Sequence, residues 1–338
     1  MKTLTAKKLI ARSPAKLNLT FDIIGKRSDG YHDVETLMQA IELEDELIFQ
    51  IEPASDFNIQ ISRVGMGFHD QFPTDDTNLI ARAATLFSAQ TGKKADVRAS
   101  VVKRIPIGAG LAGGSANAAA TLIALNQYFG EPLDVEELCG IGSALGADVP
   151  FCIKGGTHVG RGRGDELEGV DKTKRLSFIL VKPRHLSIAT GWVYQEHDKF
   201  VEKSTSKSKH VKPHLKNSLK FLGLKKKDAE TAGFGNVFEP FLFKEYKLLG
   251  KLRDKLIAFG CSASHLTGSG PTIFGVVEDR EQAYEIRQKL LGDQLTTYPH
   301  LQTGDPMKVL DCWVAESVDY GARVVSEKNL EEEEASCQ

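Results

Sequence analysis

The sequence predicts an α+β fold of two domains, each two layers deep, on three observations. The chain has 338 residues, more than one ordinary domain holds. Segments of strand period and helix period follow one another irregularly, not as strict βαβ units. Within residues 96–125 a strand-period segment runs into a glycine-rich loop, which opens directly on an alanine-rich helical segment. Hydrophobic residues make up 41% of the chain and charged residues 26%, enough apolar material for sizeable cores.

Residues 9–24 read as an extended segment with a break at Ser13-Pro14. Leu17, Leu19, Phe21 and Ile23 alternate there with Asn18, Thr20 and Asp22, the period of a half-buried strand. Residues 25–31 form a turn-rich loop, and 34–43, 45–51 and 57–61 read as further strands. Residues 77–91 carry helical spacing, and Gly92 stops it. The strand at 96–105 passes through Pro106 into the glycine loop, and the helix after it spans 115–128. Asp134 and Glu137 make a capping-box pair for a helix at 135–145, with Gly146 where a left-handed terminal residue belongs. Residues 151–160 read as a strand.

In the second half, 176–182, 272–277 and 309–318 read as strands and 248–259 and 280–291 as helices. A second glycine-rich turn lies at 265–271. The first domain is expected over 1–165 and the second over 166–322. A lysine-rich, helix-poor, solvated insertion interrupts the second at 199–227. Residues 323–338, with glutamates at 331–334, read as an acidic disordered tail.

The net charge of −2 gives no basic field for nucleic acid or an anionic membrane. Five scattered cysteines with no CxxC pair argue against a disulfide framework or a zinc site. No apolar run reaches spanning length, and no signal-peptide core follows the N-terminal lysines. A cytoplasmic protein is expected.

Four constellations carry chemistry. Glycines occupy 108, 110, 113 and 114, between the end of a strand and the start of a helix. Glycine lets the backbone approach an anion, and a helix N-terminus offers unpaired N–H groups at the positive end of its dipole. Ser115 adds a hydroxyl for a phosphate or for the Mg²⁺ that bridges phosphates. No lysine follows the glycines, so this is not a Walker loop. The string GxGxxG is present, but no second strand ending in an acid follows it, which disfavours a dinucleotide fold. Asp148, just after a helix end and before Pro150, is placed either to accept a hydroxyl proton or simply to satisfy local N–H groups. Lys16 lies at the start of the first strand, with Asn18 on the same face. Near Asp148, its ammonium would stabilise charge on a transferring phosphoryl group. At Asp29-Gly30-Tyr31-His32, an aromatic ring and a histidine could stack on a base and read its edge.

These pieces occur in order. Ser13-Pro14-Ala15-Lys16-Leu17-Asn18-Leu19 is followed by Arg27-Ser28-Asp29-Gly30-Tyr31-His32 and by Asp76-Thr77-Asn78-Leu79-Ile80. The glycine loop from Pro106 to Ala119 comes next, then Leu145-Gly146-Ala147-Asp148-Val149-Pro150 and Leu266-Thr267-Gly268-Ser269-Gly270. Over roughly residues 9–320 the chain resembles the GHMP kinase superfamily, and within it the branch that acts on a cytidine-diphosphate-linked methylerythritol.

The resemblance implies a ribosomal-protein-S5-like N-terminal domain and a ferredoxin-like C-terminal domain, with the active site in the cleft between them. It implies ATP, Mg²⁺ and phosphorylation of the substrate's 2-hydroxyl in isoprenoid-precursor synthesis. Asp148 matches the base and Lys16 its electrostatic partner. Pro106, Gly108, Gly110, Leu111, Gly113, Gly114 and Ser115 match the ATP loop, with Asn78 and Asn117 near the nucleotide. Asn18 matches a residue that positions the alcohol. Tyr31, His32 and Tyr194 match the cytosine site, and Thr267, Gly268 and Ser269 the substrate-side turn. The resemblance leaves monomer or homodimer open. Kinases of mevalonate or homoserine share the same phosphate loop, and a silent nucleotide-binding homologue is the remaining alternative.

The related loops read GLGGGSS. Here Ala112 replaces a glycine and Ala116 the second serine. Ala116 removes a hydroxyl, and Ala112 is expected to need a negative φ.

Overall fold

The structure is a computed structural model. It describes residues 4–64, 72–171, 173–184, 186–203, 215, 218, 219, 222, 233–292, 297–299, 306–308 and 310–330. Two long strands, β1 (Lys7–Lys26) and β2 (His32–Pro53), form the spine of the first sheet. They pair antiparallel along almost their whole length, with register shifts at Pro14/Ala15, Asn18/Thr20 and Ile23/Gly25. The shifts re-aim side chains along a ribbon too long to stay flat.

Around this spine lie β3 (Asn58–Val64), β4 (Ala95–Val102), β5 (Thr157–Arg161), β6 (Glu166–Gly169), β8 (Gly235–Asn236) and β14 (Arg323–Asn329). The order is β14-β1-β2-β4-β3, with β5 also on β2, β6 on β5 and β8 on β1. Helices α1 (Leu79–Thr91), α2 (Gly113–Tyr128), α3 (Val135–Leu145) and α4 (Val149–Lys154) make the second layer. Leu17, Leu19, Phe49, Ala118, Leu122 and Leu125 are fully buried in the shared core. The run of alanines lets α2 lie close to β1.

The second sheet holds β7 (Ser177–Pro183), β9 (Ala263–Leu266), β10 (Ile273–Val277) and β13 (Leu310–Glu316), in the order β13-β7-β10-β9 and antiparallel throughout. Helical segments follow its first and third strands, among them Lys247–Ala258 and Arg280–Leu291. That is the βαββαβ ferredoxin-like pattern. Leu249, Leu252, Ala283, Ile286 and Leu290 pack against it from those helices. Helix α5 (Thr190–Lys203) comes between β7 and β9, and β11 (Thr297–Pro299) pairs with β12 (Pro306–Lys308).

Several sequence expectations are corrected. The expected break at Glu44 does not divide the second strand, because Glu44 and both flanks pair with β1. Residues 151–160 are a helix end followed by β5, since Pro150 near the N-terminus of α4 starts a helix from an apolar run that reads as strand. Gly146 has φ 174°, an extended conformation open to any residue. Residues 199–203 are helical, as the end of α5, whereas most of the lysine-rich segment lies outside the described residues.

Residues 323–329 are not a disordered tail. They form β14, paired with β1 from Lys7↔Asn329 to Arg12↔Arg323. The expected divisions at 165 and 323 therefore cut through the first sheet, which takes both β6 and β14. The glutamates at 331–334 lie outside the described residues.

Candidate active site

The glycine loop is shaped by contact with the second glycine-rich turn. Gly108 and Gly110 have φ of 61° and 75°. A Cβ on Gly110 would stand 2.8 Å from the Thr267 carbonyl oxygen and 2.9 Å from that of Gly270. The two turns thus meet backbone to backbone, which only glycine allows. Ala112 has φ 58° and ψ 28°, against the expectation of a negative φ, and it is the N-cap of α2 without a side-chain cap bond. The Ala116 N–H closes on the Ala112 carbonyl at 2.8 Å, the first turn of the helix. The N–H groups of residues 113–115 precede that bond, and such uncapped donors at a positive dipole end suit a phosphate.

Beneath the loop, Asp45 is fully buried and accepts from the Arg104 and Ile105 N–H groups at 2.7 and 2.8 Å. Lys103 donates to Asp45 and, at 3.3 Å, to the Gly113 carbonyl. Burial pushes the Asp45 carboxyl upward, against the pull of Lys103 and the two N–H donors. Asn117 completes the network when its amide nitrogen faces Asp45 (2.7 Å) and the Gly113 carbonyl (3.1 Å). Asn117 therefore supports the loop from inside. Asn78 also serves the scaffold: its Oδ1 caps α1 through the Ile80 N–H at 2.9 Å, and its amide donates to the Pro73 carbonyl at 2.5 Å.

Lys16 and Asp148 come together. Lys16 Nζ stands 3.2 Å from Asp148 Oδ1, with side-chain exposures of 6% and 36%. The ammonium is held inside while the carboxylate faces the cleft. Lys16 also donates to Asn18 Oδ1 at 2.6 Å. The Asn18 amide donates to Thr36 Oγ1 at 2.8 Å, and the Asn18 backbone N–H donates to Thr267 Oγ1 at 2.8 Å. Both ends of the Asn18 side chain are thus committed, and Thr267 is a buried tie between the two sheets. Ser269 Oγ lies 2.9 Å from Thr190 Oγ1.

Many of these groups border one cleft of about 510 Å³, though Thr267 is not on its lining. Lys16, Asn18, Asn78, Asp148, Tyr194, Gly268 and Ser269 line it together with Pro106–Ser115 and Asn117. Tyr31 and His32 are not on that lining. Tyr31 is 59% exposed, with the Arg163 guanidinium 5.8 Å from its ring centre. His32 packs on Tyr194, ring centres 5.0 Å apart and planes tilted by 31°. Tyr194 also meets Phe238 edge-on at 5.1 Å, and burial, followed by the nearby Asp148 charge, raises its phenol pKa.

Sequence reasoning missed Lys103, Asp45, Arg163 and Asp198. Lys103 and Asp45 are 58 positions apart and meet only because β2 pairs with β4. Asp198, on α5, accepts from Lys26 at 2.6 Å and pairs with His32 Nε2 at 2.8 Å. Arg163, in the β5–β6 turn, bonds the Ser143 carbonyl and Asp165 and lines the cleft. Only its position between Gly162 and Gly164, a tight-turn signal, could have drawn attention.

The GHMP kinase N-terminal domain family matches residues 78–156, and the GHMP kinase C-terminal family matches residues 219–295. A 4-diphosphocytidyl-2-C-methyl-D-erythritol kinase of a Synechococcus species is 38% identical over 284 residues, covering 83% of this chain and 88% of its own. The enzyme of the same name from Gloeothece citriformis is 32% identical, covering 92% and 96%. A crystal structure of 4-(cytidine 5'-diphospho)-2C-methyl-D-erythritol kinase superposes with a TM-score of 0.68 at 26% identity, covering 91% and 99%. L. major mevalonate kinase shares the fold at 14% identity, with a TM-score of 0.64 and coverage of 93% and 96%. The phosphate loop, the two-sheet architecture and these similarities agree: the chain belongs to the GHMP kinase family.

Proposed function

We propose that the chain transfers the γ-phosphoryl group of ATP to the 2-hydroxyl of 4-diphosphocytidyl-2-C-methyl-D-erythritol, in isoprenoid-precursor synthesis. The observation that carries this reading is the Lys16–Asp148 ion pair, 3.2 Å long, in the same cleft as the uncapped N-terminus of α2. The name shared by the curated relatives supports this substrate.

Asp148, exposed to the cleft, accepts the hydroxyl proton as the alcohol oxygen attacks phosphorus. Lys16 is fixed by Asn18 and Asp148, so its charge is already in place when negative charge gathers on the phosphoryl oxygens. Asn18 acts by holding Lys16 and tying it to Thr36. The glycine loop and the first N–H groups of α2 hold the ATP phosphates. Tyr194 and Tyr31 offer faces to the cytosine, and His32 its edge-reading nitrogen.

Mg²⁺ takes oxygen ligands and often only one or two from protein, the rest from phosphates and water. No trio of His, Cys, Asp or Glu gathers for a metal among the described residues. The donors beside the loop are the Ser115 hydroxyl, which faces Gly146, and the Asp148 carboxylate. They fit an ion held chiefly by phosphates, which would neutralise phosphate charge. No helix among the described residues is long and apolar enough to cross a membrane; a cytoplasmic site of action is part of this proposal.

ADP release measured with the cytidine-diphosphate substrate, mevalonate and homoserine tests the reading. Turnover with the first alone is expected. Equal or greater turnover with either of the others would overturn the substrate assignment.

A further inference from the structure

Asp198 has no place in the phosphoryl-transfer chemistry, yet it is built into the aromatic end of the site. Its Oδ1 lies 2.8 Å from His32 Nε2 and its Oδ2 2.6 Å from Lys26 Nζ. Burial works against its charge, but the hydrogen bonds from Lys26 and His32 prevail and hold its carboxyl below the usual range. It is thus a carboxylate, which can only accept. The facing His32 Nε2 must then carry a proton. In the neutral ring this leaves Nδ1 as an acceptor.

We propose that Asp198, held by Lys26, is a positioning residue that fixes the His32 tautomer and so selects a nucleobase with an exocyclic amine over one with a carbonyl at that place. The inference rests on the reading of His32 as a base-edge contact. An Nδ1 lone pair accepts from the amine of a cytosine. A uracil presents a carbonyl oxygen there, and two acceptors repel. The His32 ring packs on Tyr194 with the planes tilted by 31°, so it cannot swing away to present its other nitrogen without losing that contact.

Lys26 makes the arrangement testable. Its ammonium only donates, so in an Asp198→Asn variant it takes the amide oxygen. The amide NH₂ is then turned toward His32 Nε2, which must accept, and the proton moves to Nδ1. The pair would keep its geometry and invert its polarity, as when an asparagine replaces the carboxylate behind a catalytic histidine. In a Lys26→Met/Asp198→Asn double variant nothing holds the amide, which can turn its oxygen back to Nε2.

The experiment compares kcat/KM for the cytidine- and uridine-diphosphate forms of the same alcohol, with ¹⁵N NMR of the His32 ring in the free enzyme. The wild type should show Nε2–H and Asp198→Asn should show Nδ1–H. The cytidine preference should fall by about tenfold or more in Asp198→Asn, an effect of one hydrogen bond's size, and return in part in the double variant. A merely structural role would lower kcat/KM equally for both substrates with the ratio unchanged. That result, or Nδ1–H in the wild type, would overturn the proposal. His32→Phe separates it from the reading beneath it. If that change leaves the base preference intact, the base-edge role of His32 fails and this inference with it. If it abolishes the preference while Asp198→Asn does not alter it, only the inference fails.

Discussion

Lys16 Nζ stands 3.2 Å from Asp148 Oδ1, an ion pair that joins the middle of β1 to the start of α4. Asp148→Asn keeps the shape and removes the proposed base. Its kcat should fall by orders of magnitude, about 10²–10⁴-fold for loss of general base catalysis, while ATP binding is largely retained. Steady-state turnover together with nucleotide titration checks this. Near-normal turnover would remove Asp148 from the chemistry.

Tyr31 is exposed and Tyr194 is packed on His32. Replacing both by Ala should chiefly raise KM for the cytidine-diphosphate substrate, since base stacking is worth about 1–3 kcal/mol per base. The KM for ATP should change little. An unchanged substrate KM would rule out stacking by both rings.

Ala112 pays for its left-handed φ of 58°, a conformation that costs a non-glycine residue about 1–2 kcal/mol. Glycine relieves this but loses more backbone entropy on folding. Ala112→Gly should therefore stabilise the fold by about 0.5–1 kcal/mol, read from urea unfolding. Gly110→Ala should do the opposite, because its Cβ would meet the Thr267 and Gly270 carbonyls. The loss should be about 1–3 kcal/mol, with a higher KM for ATP. A Gly110→Ala enzyme of wild-type stability would show that the two turns do not need this contact.

Arg280 bridges the two sheets, pairing with Glu42 on β2 and, at 2.9 Å, with Glu316 on β13. Its hydrogen bond lowers the Glu316 carboxyl from the ordinary value of 4.5. A lowered carboxylate contributes stability above its unfolded pKa and loses it as pH falls through the folded one. Arg280 is 41% exposed along its side chain, so solvent screens the pair. Arg280→Met should cost about 1 kcal/mol or less near pH 7. The gap between the two proteins should narrow as pH falls below 4.5. Unfolding curves from pH 3 to pH 7 measure it, and a constant gap would argue against the carboxylate link.

Much of this architecture could be read locally. Alternation marked β1, and the Asp134–Glu137 capping box placed α3 where it occurs. The glycine loop was legible because strand, glycines and helix adjoin in sequence. Most of the failures share one physical cause, which is that the deciding contact lay outside the segment being read. Residues 151–154, within the run 151–160 that reads as strand, are apolar enough for one, but burial beside α2 and α3 favours a helix. Arg323–Asn329 reads as a charged tail, yet β1 offers it an open edge. Asp198 has no motif at all; it matters because α5 sets it against the β1–β2 turn.

The pairing of β14 with β1 has a consequence for how the molecule comes into being. Glu327 meets Lys7 across 320 positions of chain. On a ribosome the strand that carries Lys16 emerges long before its outer neighbour and waits for it while the second sheet is made. Its free edge is exposed during that interval, the situation in which unpaired strands find wrong partners. The sheet that holds Lys16 therefore cannot be finished before the second sheet has been synthesised, and a nascent chain cut short before residue 323 would carry Lys16 on a strand with an unguarded edge.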